Sequence, residues 1–336
     1  MAAKSGRVID NTPKRGAKQL LVRWEGGLVL IFIGVLLLGS AMSPTYTITN
    51  VLREMPKYLC ELFMMFAMGY ILIIGEIDIS VGAIVCLVAT IGCFAGNAGL
   101  PLICIILICP LAGLACGLFN GLIMTRFQEL PAMIVTLGTQ IIFRGIAEVS
   151  LGSGGSVSFQ NSMVIMPLAK MIGPVPVMFF VVAVAAFVFI FVLLRTTFGR
   201  KLYAVGSNRI AAKYAGIPVQ RIRLTCFALT GLMAGICALF YLSTTFGANT
   251  TTGQGYEMDV IAMCVFGGIA TTGGKGNLIG ALLAGFTIIC LRIALGQKNI
   301  NTQIILVIIG LLLIASVLLP AVSQAIGRRK AKTVQA

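Results

Sequence analysis

The sequence contains no histidine, which removes the commonest metal ligand and proton shuttle among the side chains. It is also poor in charge. Asp, Glu, Lys and Arg make up 10% of its 336 residues, where a soluble globular chain carries about 25%. So little charge cannot solvate a globular surface, which excludes a soluble fold and leaves an integral membrane protein. Acidic residues are scarcest, ten against 25 basic ones, and the net charge is +15. That charge does not point to nucleic acid, because of where it sits. Six basic residues precede or reach Arg23, seven lie within residues 195–223, and four follow Pro320. Clustering of this kind is the positive-inside pattern of cytoplasmic segments, with some attraction to anionic lipid. Cysteine spacing is equally uninformative: all ten cysteines fall inside apolar runs and read as small buried hydrophobes, with no disulfide framework or metal spacing. The basic N-terminus lacks a convincing small-residue cleavage site after its first apolar run, so that run is an uncleaved span.

What is present is apolar sequence, 58% of the chain, with mean hydropathy +1.02. A span needs about 20 residues, and runs of that order recur ten times between residues 26 and 320. The prediction is an all-α polytopic membrane protein with about ten transmembrane helices. A cytoplasmic N-terminal tail (1–25) and C-terminal tail (321–336) flank the transmembrane domain (26–320). The second and third spans are separated by a break, Gly75-Glu76-Ile77-Asp78-Ile79-Ser80-Val81-Gly82. Span four carries Gly113, Gly117 and Gly121 on one face, a spacing that lets a neighbouring helix approach closely. In span five, Arg144 and Glu148 stand at i,i+4, predicting a salt bridge near the outer interface.

The longest polar interruption is residues 195–223, with seven basic residues and no acidic one. Its charge places it in the cytoplasm. It also has a short amphipathic pattern over 208–215, predicting about two helical turns with Asn208 as N-cap and with Gly216 and Pro218 as the stop. A structured element on a cytoplasmic loop is what a partner protein grips. Gly206, Asn208, Ala211, Ala212, Ala215, Gly216 and Ile217 form the expected coupling surface. Small residues there permit close approach.

Two acidic pairs echo one another. Glu76 and Asp78 open span three, and Glu257 and Asp259 open span eight, five spans later. An odd offset puts the pairs on opposite membrane sides, as an inverted-topology repeat requires. These four acids, with Tyr256 beside them, either line a transport path or cap exposed helix-start amides, and capping is the favoured expectation. Gly274-Lys275 superficially suggests a phosphate loop, but the required earlier glycine and the Ser or Thr after the lysine are replaced by Ile269 and Gly276. No nucleophile and base pair can be assembled either. The chain is therefore expected to be a transport subunit with no catalytic, metal or cofactor site of its own. An ion-coupled secondary transporter is the alternative, weakened by the absence of histidine and the rarity of mid-span acids.

The break segment resembles the Gly-Gly-Ile-Asp-Leu-Ser-Val-Gly signature of ribose-type permeases, the membrane subunits of ATP-binding cassette (ABC) sugar importers. Other stretches agree in the family's order over about residues 25–320. Among them are Gly117-Leu-Phe-Asn120-Gly121, Leu130-Pro131-Ala-Met-Ile-Val-Thr136-Leu137-Gly138-Thr139, Gly206-Ser-Asn208-Arg-Ile-Ala211-Ala212-Lys-Tyr-Ala-Gly216-Ile217 and Gly255-Tyr256-Glu257-Met-Asp259. Two departures stand out: Glu76 replaces a glycine, and Cys264-Val265-Phe266 is bulkier than usual. The resemblance implies a dimeric permease core built with a second copy or a paralogue. It further implies two cytoplasmic ATPase subunits that use ATP, an extracytoplasmic solute-binding protein, and docking of residues 199–218 in an ATPase groove. Its setting is the bacterial inner membrane, and its cargo a pentose, a deoxyhexose or a related furanosyl compound.

Overall fold

The computed structural model describes residues 24–301, 303–311 and 314; the predicted N-terminal and C-terminal tails lie almost wholly outside them. The chain is mainly helical. In order, its α-helices are α1 (Trp24–Met42), α2 (Ile48–Glu54), α3 (Pro56–Leu59), α4 (Glu61–Ile73), α5 (Val81–Asn97), α6 (Leu102–Arg126) and α7 (Ala132–Leu151). They continue with α8 (Val177–Arg195), α9 (Thr197–Ser207), α10 (Arg209–Tyr214), α11 (Val219–Thr245), α12 (Tyr256–Phe266) and α13 (Leu278–Gly296). Residues 303–311 are helical as well. Helices thus occupy the apolar runs that the described residues cover, the last of them described in part. Among the described residues six helices are long and apolar enough to cross a membrane, and two shorter apolar helices, Gly26–Met42 and Val81–Asn97, accompany them.

The all-α expectation needs one amendment. Strands β1 (Ser156–Ser158) and β4 (Gly247–Asn249) pair antiparallel, as do β2 (Met171–Ile172) and β3 (Val175–Pro176). Both ladders sit in the connections after α7 and α11, too short to show in a hydropathy pattern. Asn97 at the end of α5 anchors the first: its Nδ2 donates to Ser158 O at 2.9 Å and its Oδ1 accepts from Gln160 N at 2.8 Å.

Helix α4 is the centre of the fold. All thirteen of its residues are buried, and it packs against α8, α11, α12 and α13. Its apolar side chains carry no amphipathic pattern because every side of it meets protein. Tyr70 donates from its hydroxyl to Phe189 O on α8 at 2.6 Å, so the one phenol deep in this packing has an acceptor. By contrast, only 28% of the spanning window is buried in each of the Leu102–Arg126, Ala132–Gly154 and Val177–Arg195 helices. Their outward faces are lined by exposed Leu111, Ile141, Val149 and Phe187, the apolar surface expected against hydrocarbon or a second membrane subunit.

The glycine face of α6 meets α11. A Cβ at Gly113 would collide with the backbone of Gly231 and Gly235, and one at Gly117 with Phe227 O and Gly231. The two helices therefore touch backbone to backbone over two turns, which only glycine on both sides permits.

Candidate functional site

The polar element between α8 and α11 begins at Thr196, whose hydroxyl caps α9 by accepting from Gly199 N at 3.4 Å. Helix α9 was not anticipated from the sequence; it buries Gly199, Leu202 and Val205 on one side. Helix α10 follows as expected. Asn208 is its N-cap, with Oδ1 accepting from Ala211 N at 2.9 Å. Gly216 closes it at φ +78°, with Gly216 N donating to Lys213 O and Ile217 N donating to Ala212 O, the paired bonds of a glycine-terminated helix. Ala211, Ala215 and Gly216 are exposed, together with Ile210 at 70% and Tyr214 at 89%. A large apolar pair at i,i+4 pointing into solvent is the kind of surface that a partner can cover. A cavity of about 520 Å³ borders it, lined by Gln128, Arg209, Ile210, Lys213, Tyr214 and Gln220 among others.

Two residues expected on that surface turn inward. Ala212 is 4% exposed, since it lies on the side of α10 that faces the body of the protein. Gly206 is held by packing: a Cβ there would strike Ile73 O and Gly274 N, and Gly274 N itself donates to Ile73 O at 2.8 Å. The end of α9 thus rests on the end of α4 and on the turn before α13.

The break after α4 is where the sequence reading and the structure part most clearly. Gly75 adopts φ +77°, which turns the chain out of the helix at a position that disfavours any side chain. Asp78 acts locally but does not cap α5, whose N-cap is Ser80 without a side-chain cap bond: Oδ1 accepts from Ser80 N at 2.9 Å and from Ser80 Oγ at 2.6 Å, a turn that precedes the helix. Asn120 on α6 donates to Ser80 Oγ at 2.8 Å, fixing the break to the neighbouring helix. Glu76 is not a cap. Its Oε1 accepts from Arg209 Nη2 at 2.6 Å and stands 2.6 Å from Arg223 Nε. Arg223, 1% exposed, also donates from Nη1 to Met124 O at 2.8 Å. The carboxylate that replaces the family glycine therefore ties the break to two arginines of the basic loop. Beside it is a cavity of about 250 Å³ lined by Glu76, Arg209, Arg223 and residues 130–133.

A second charged group gathers at the other end of α4. Arg292 of α13 donates from Nη1 to Glu61 Oε1 at 3.2 Å, and its Nη2 stands 2.6 Å from Asp259 Oδ1. The guanidinium also lies over the Tyr58 ring, 5.6 Å from its centroid. Asp259 is thus an ion-pair partner and not a helix cap. Glu257 is buried in the first turn of α12 and lies beside Gly82, which also abuts the Gly253 carbonyl. Glu257 thus borders the start of α5, whereas Asp259 joins Glu61 at the end of α4 opposite Glu76. Tyr256 meets Tyr241 edge to face, with centroids 6.5 Å apart. The bridge expected between Arg144 and Glu148 is not among the ion pairs of the described residues. Arg144 donates instead to Thr250 O at 2.7 Å and to Thr252 O at 3.4 Å, because the segment before α12 offers carbonyls that have no strand or helix partner.

Arg292, Arg223 and Asn120 were not singled out as site residues by sequence reasoning. Arg292 had a usable signal, a lone basic residue inside an apolar run, which must face protein and find an acid.

The family described as "Branched-chain amino acid transport system / permease component" matches residues 58–317. A ribose import permease protein of Bacillus subtilis is 33% identical over 90% of this chain and 93% of its own length. A fructose import permease protein of Bifidobacterium longum is 29% identical over 90% and 92%. An autoinducer 2 import system permease protein of Escherichia coli is 33% identical over 66% and 65%. No solved structure matches. With buried apolar helices around α4, a capped polar element between α8 and α11 and these relatives, the chain is a multi-pass membrane protein and belongs to the ribose-type ABC sugar importer permease family.

Proposed function

We propose that this chain is the membrane-spanning permease subunit of an ABC importer in the bacterial inner membrane. It passes a sugar from an extracytoplasmic solute-binding protein to the cytoplasm, with ATP used by separate ATPase subunits and no cofactor bound by the permease itself. The cargo is a pentose, a deoxyhexose or a related furanosyl compound. The second permease is another copy or a paralogue, both termini face the cytoplasm, and the ten helical segments form two inverted halves. The observation that carries the reading is α10, a short helix closed at both ends that holds Ile210 and Tyr214 out from the protein beside a cavity of about 520 Å³. A topology anchor needs only charge; exposed apolar side chains on a fixed helix serve docking. Ion coupling loses support from the pairing of Glu61, Glu76 and Asp259 with arginines, which leaves these carboxylates less free to carry an ion.

The test is affinity purification in mild detergent followed by reconstitution. ATPase subunits should co-purify, and uptake of labelled ribose, fructose, xylose or rhamnose should require ATP and the binding protein. Uptake driven by a sodium or proton gradient without ATP would overturn the proposal.

A further inference from the structure

Helix α4 carries a buried carboxylate at or just beyond each end. Glu61 is its first residue and Glu76 lies three residues past Ile73. At 1.5 Å per residue the helix is about 20 Å long, and it is enclosed along its full length. The outer carboxylate is held by Arg292, which also holds Asp259 in the first turn of α12. The inner one is held by Arg209 and Arg223, the first of which belongs to α10.

The two inner arginines are unequal. Arg223 is buried and fixed by Met124 O. The Arg209 side chain is 42% exposed and lines both cavities, the one beside Glu76 and the one beside Ile210 and Tyr214. Whatever enters the second cavity meets the same guanidinium that pairs with Glu76. Residues 195–223 are basic and contain no acid, so a partner fitted to them presents carboxylates. A carboxylate drawn to Arg209 weakens its hold on Glu76 and leaves that group to Arg223 alone.

We propose that Arg209 and Glu76 are positioning residues that link ATPase docking to the outer face. Docking shifts Arg209, Arg209 shifts Glu76 and the break, and α4 moves as a strut whose outer end displaces Arg292, Asp259 and α12. This rests on the reading of residues 199–218 as the docking element. The signature that the break resembles has a glycine at the place of Glu76, which has no charge to hold.

The test uses the purified complex of the full chain with its ATPase subunits, and it needs no sugar. A cysteine is introduced by Gln254→Cys, at an exposed position just before α12, and its labelling by an impermeant maleimide is timed against the parent chain. Rates are compared without nucleotide and after trapping with ATP and orthovanadate. In the otherwise unsubstituted protein, trapping should change the rate several-fold. With Arg209→Gln or Glu76→Gln the change should vanish while ATPase co-purification and vanadate trapping persist. Arg209→Lys should recover part of the change, and Lys213→Gln, which removes an exposed charge without an ion pair to Glu76, should keep all of it. The double variant Arg209→Gln with Glu76→Gln should be no worse than either single one, as expected for residues acting through one contact.

A full-sized change in Arg209→Gln overturns the proposal. So does loss of ATPase co-purification in that variant, which makes Arg209 a docking contact and nothing more, and so does a rate that trapping does not alter in the unsubstituted protein. If Glu76→Gln fails to accumulate, the half-exposed Arg209 variants decide the matter. Absence of ATPase from the unsubstituted preparation would instead sink the docking reading on which this one stands.

Discussion

At the residue scale, the energetics turn on how completely a charge is removed from water. Arg292 stands between Glu61 and Asp259 with all three side chains largely buried. Substituting Arg292→Met would leave two carboxylates in one enclosed site. Breaking a buried ion pair by deleting one partner costs about 3–5 kcal/mol. We expect a clear fall in the detergent melting temperature and little monodisperse protein by size-exclusion chromatography. Glu54 and Lys57 make the opposite case, an i,i+3 pair with both side chains well exposed. Glu54→Gln should change stability by no more than the roughly 0.2–1 kcal/mol of exposed pairs, so its melting curve should overlay that of the parent. A similar fall in both variants would show that burial does not govern these contacts. The residue scale is also where the sequence was least legible. The Arg292–Glu61 bond joins positions 231 apart in the chain, and nothing in local spacing says which distant acid a lone arginine will find. Glu76 and Asp259 read as helix caps because acids favour helix starts; the structure gives them arginines instead, brought in by packing of α10, α11 and α13.

At the element scale, local chemistry was much more readable. Asn208 and Gly216 bound α10 as their side-chain and backbone preferences dictate, while α9 is masked by Gly199, Arg200, Lys201 and Gly206, which interrupt its apolar residues. The glycines of α6 were legible as a close-contact face, though their partner was not. Gly117→Leu should drive a side chain into the backbone of α11 at Phe227 and Gly231 and abolish detergent-stable protein. Gly138→Leu on α7, where a Cβ meets nothing within 4 Å, should express and melt normally. Equal behaviour of the two variants would mean that α6 does not pack on α11. For α10, Ala215→Glu places a carboxylate on the exposed face beside Ile210 and Tyr214. In an interface an unpaired buried charge is strongly destabilising, so we expect normal membrane abundance with loss of ATPase co-purification and of ATP-driven uptake. Co-purification and uptake at parental levels would return this segment to a topology anchor.

At the scale of the whole molecule, hydropathy and charge distribution carry most of the architecture, because the bilayer imposes one requirement on every span. The helical runs in the middle of the chain could be read from the sequence. The two β-ladders could not, since two or three residues per strand leave no periodic signal. Sidedness is open to a direct check. The cytoplasmic assignment of residues 195–223 predicts that Ser207→Cys is labelled by a membrane-impermeant thiol reagent only after permeabilisation, whereas Ser156→Cys and Asn299→Cys are labelled in intact cells. All three positions are exposed, so reactivity reports the side of the membrane and not burial. Labelling of Ser207→Cys from outside would invert the topology.

The contact between α6 and α11 has a mechanical consequence. Most helix interfaces are padded by side chains that change rotamer, and such padding lets one helix slip past another by small steps. Here Gly113, Gly117, Gly231 and Gly235 bring main chain against main chain, and there is no padding to deform. A slide of even one residue would drive a neighbouring side chain into a carbonyl. Helices α6 and α11 are therefore locked as a single axle. For the transport proposed above, the expectation is that other helices swing about that pair while its glycine contact stays intact.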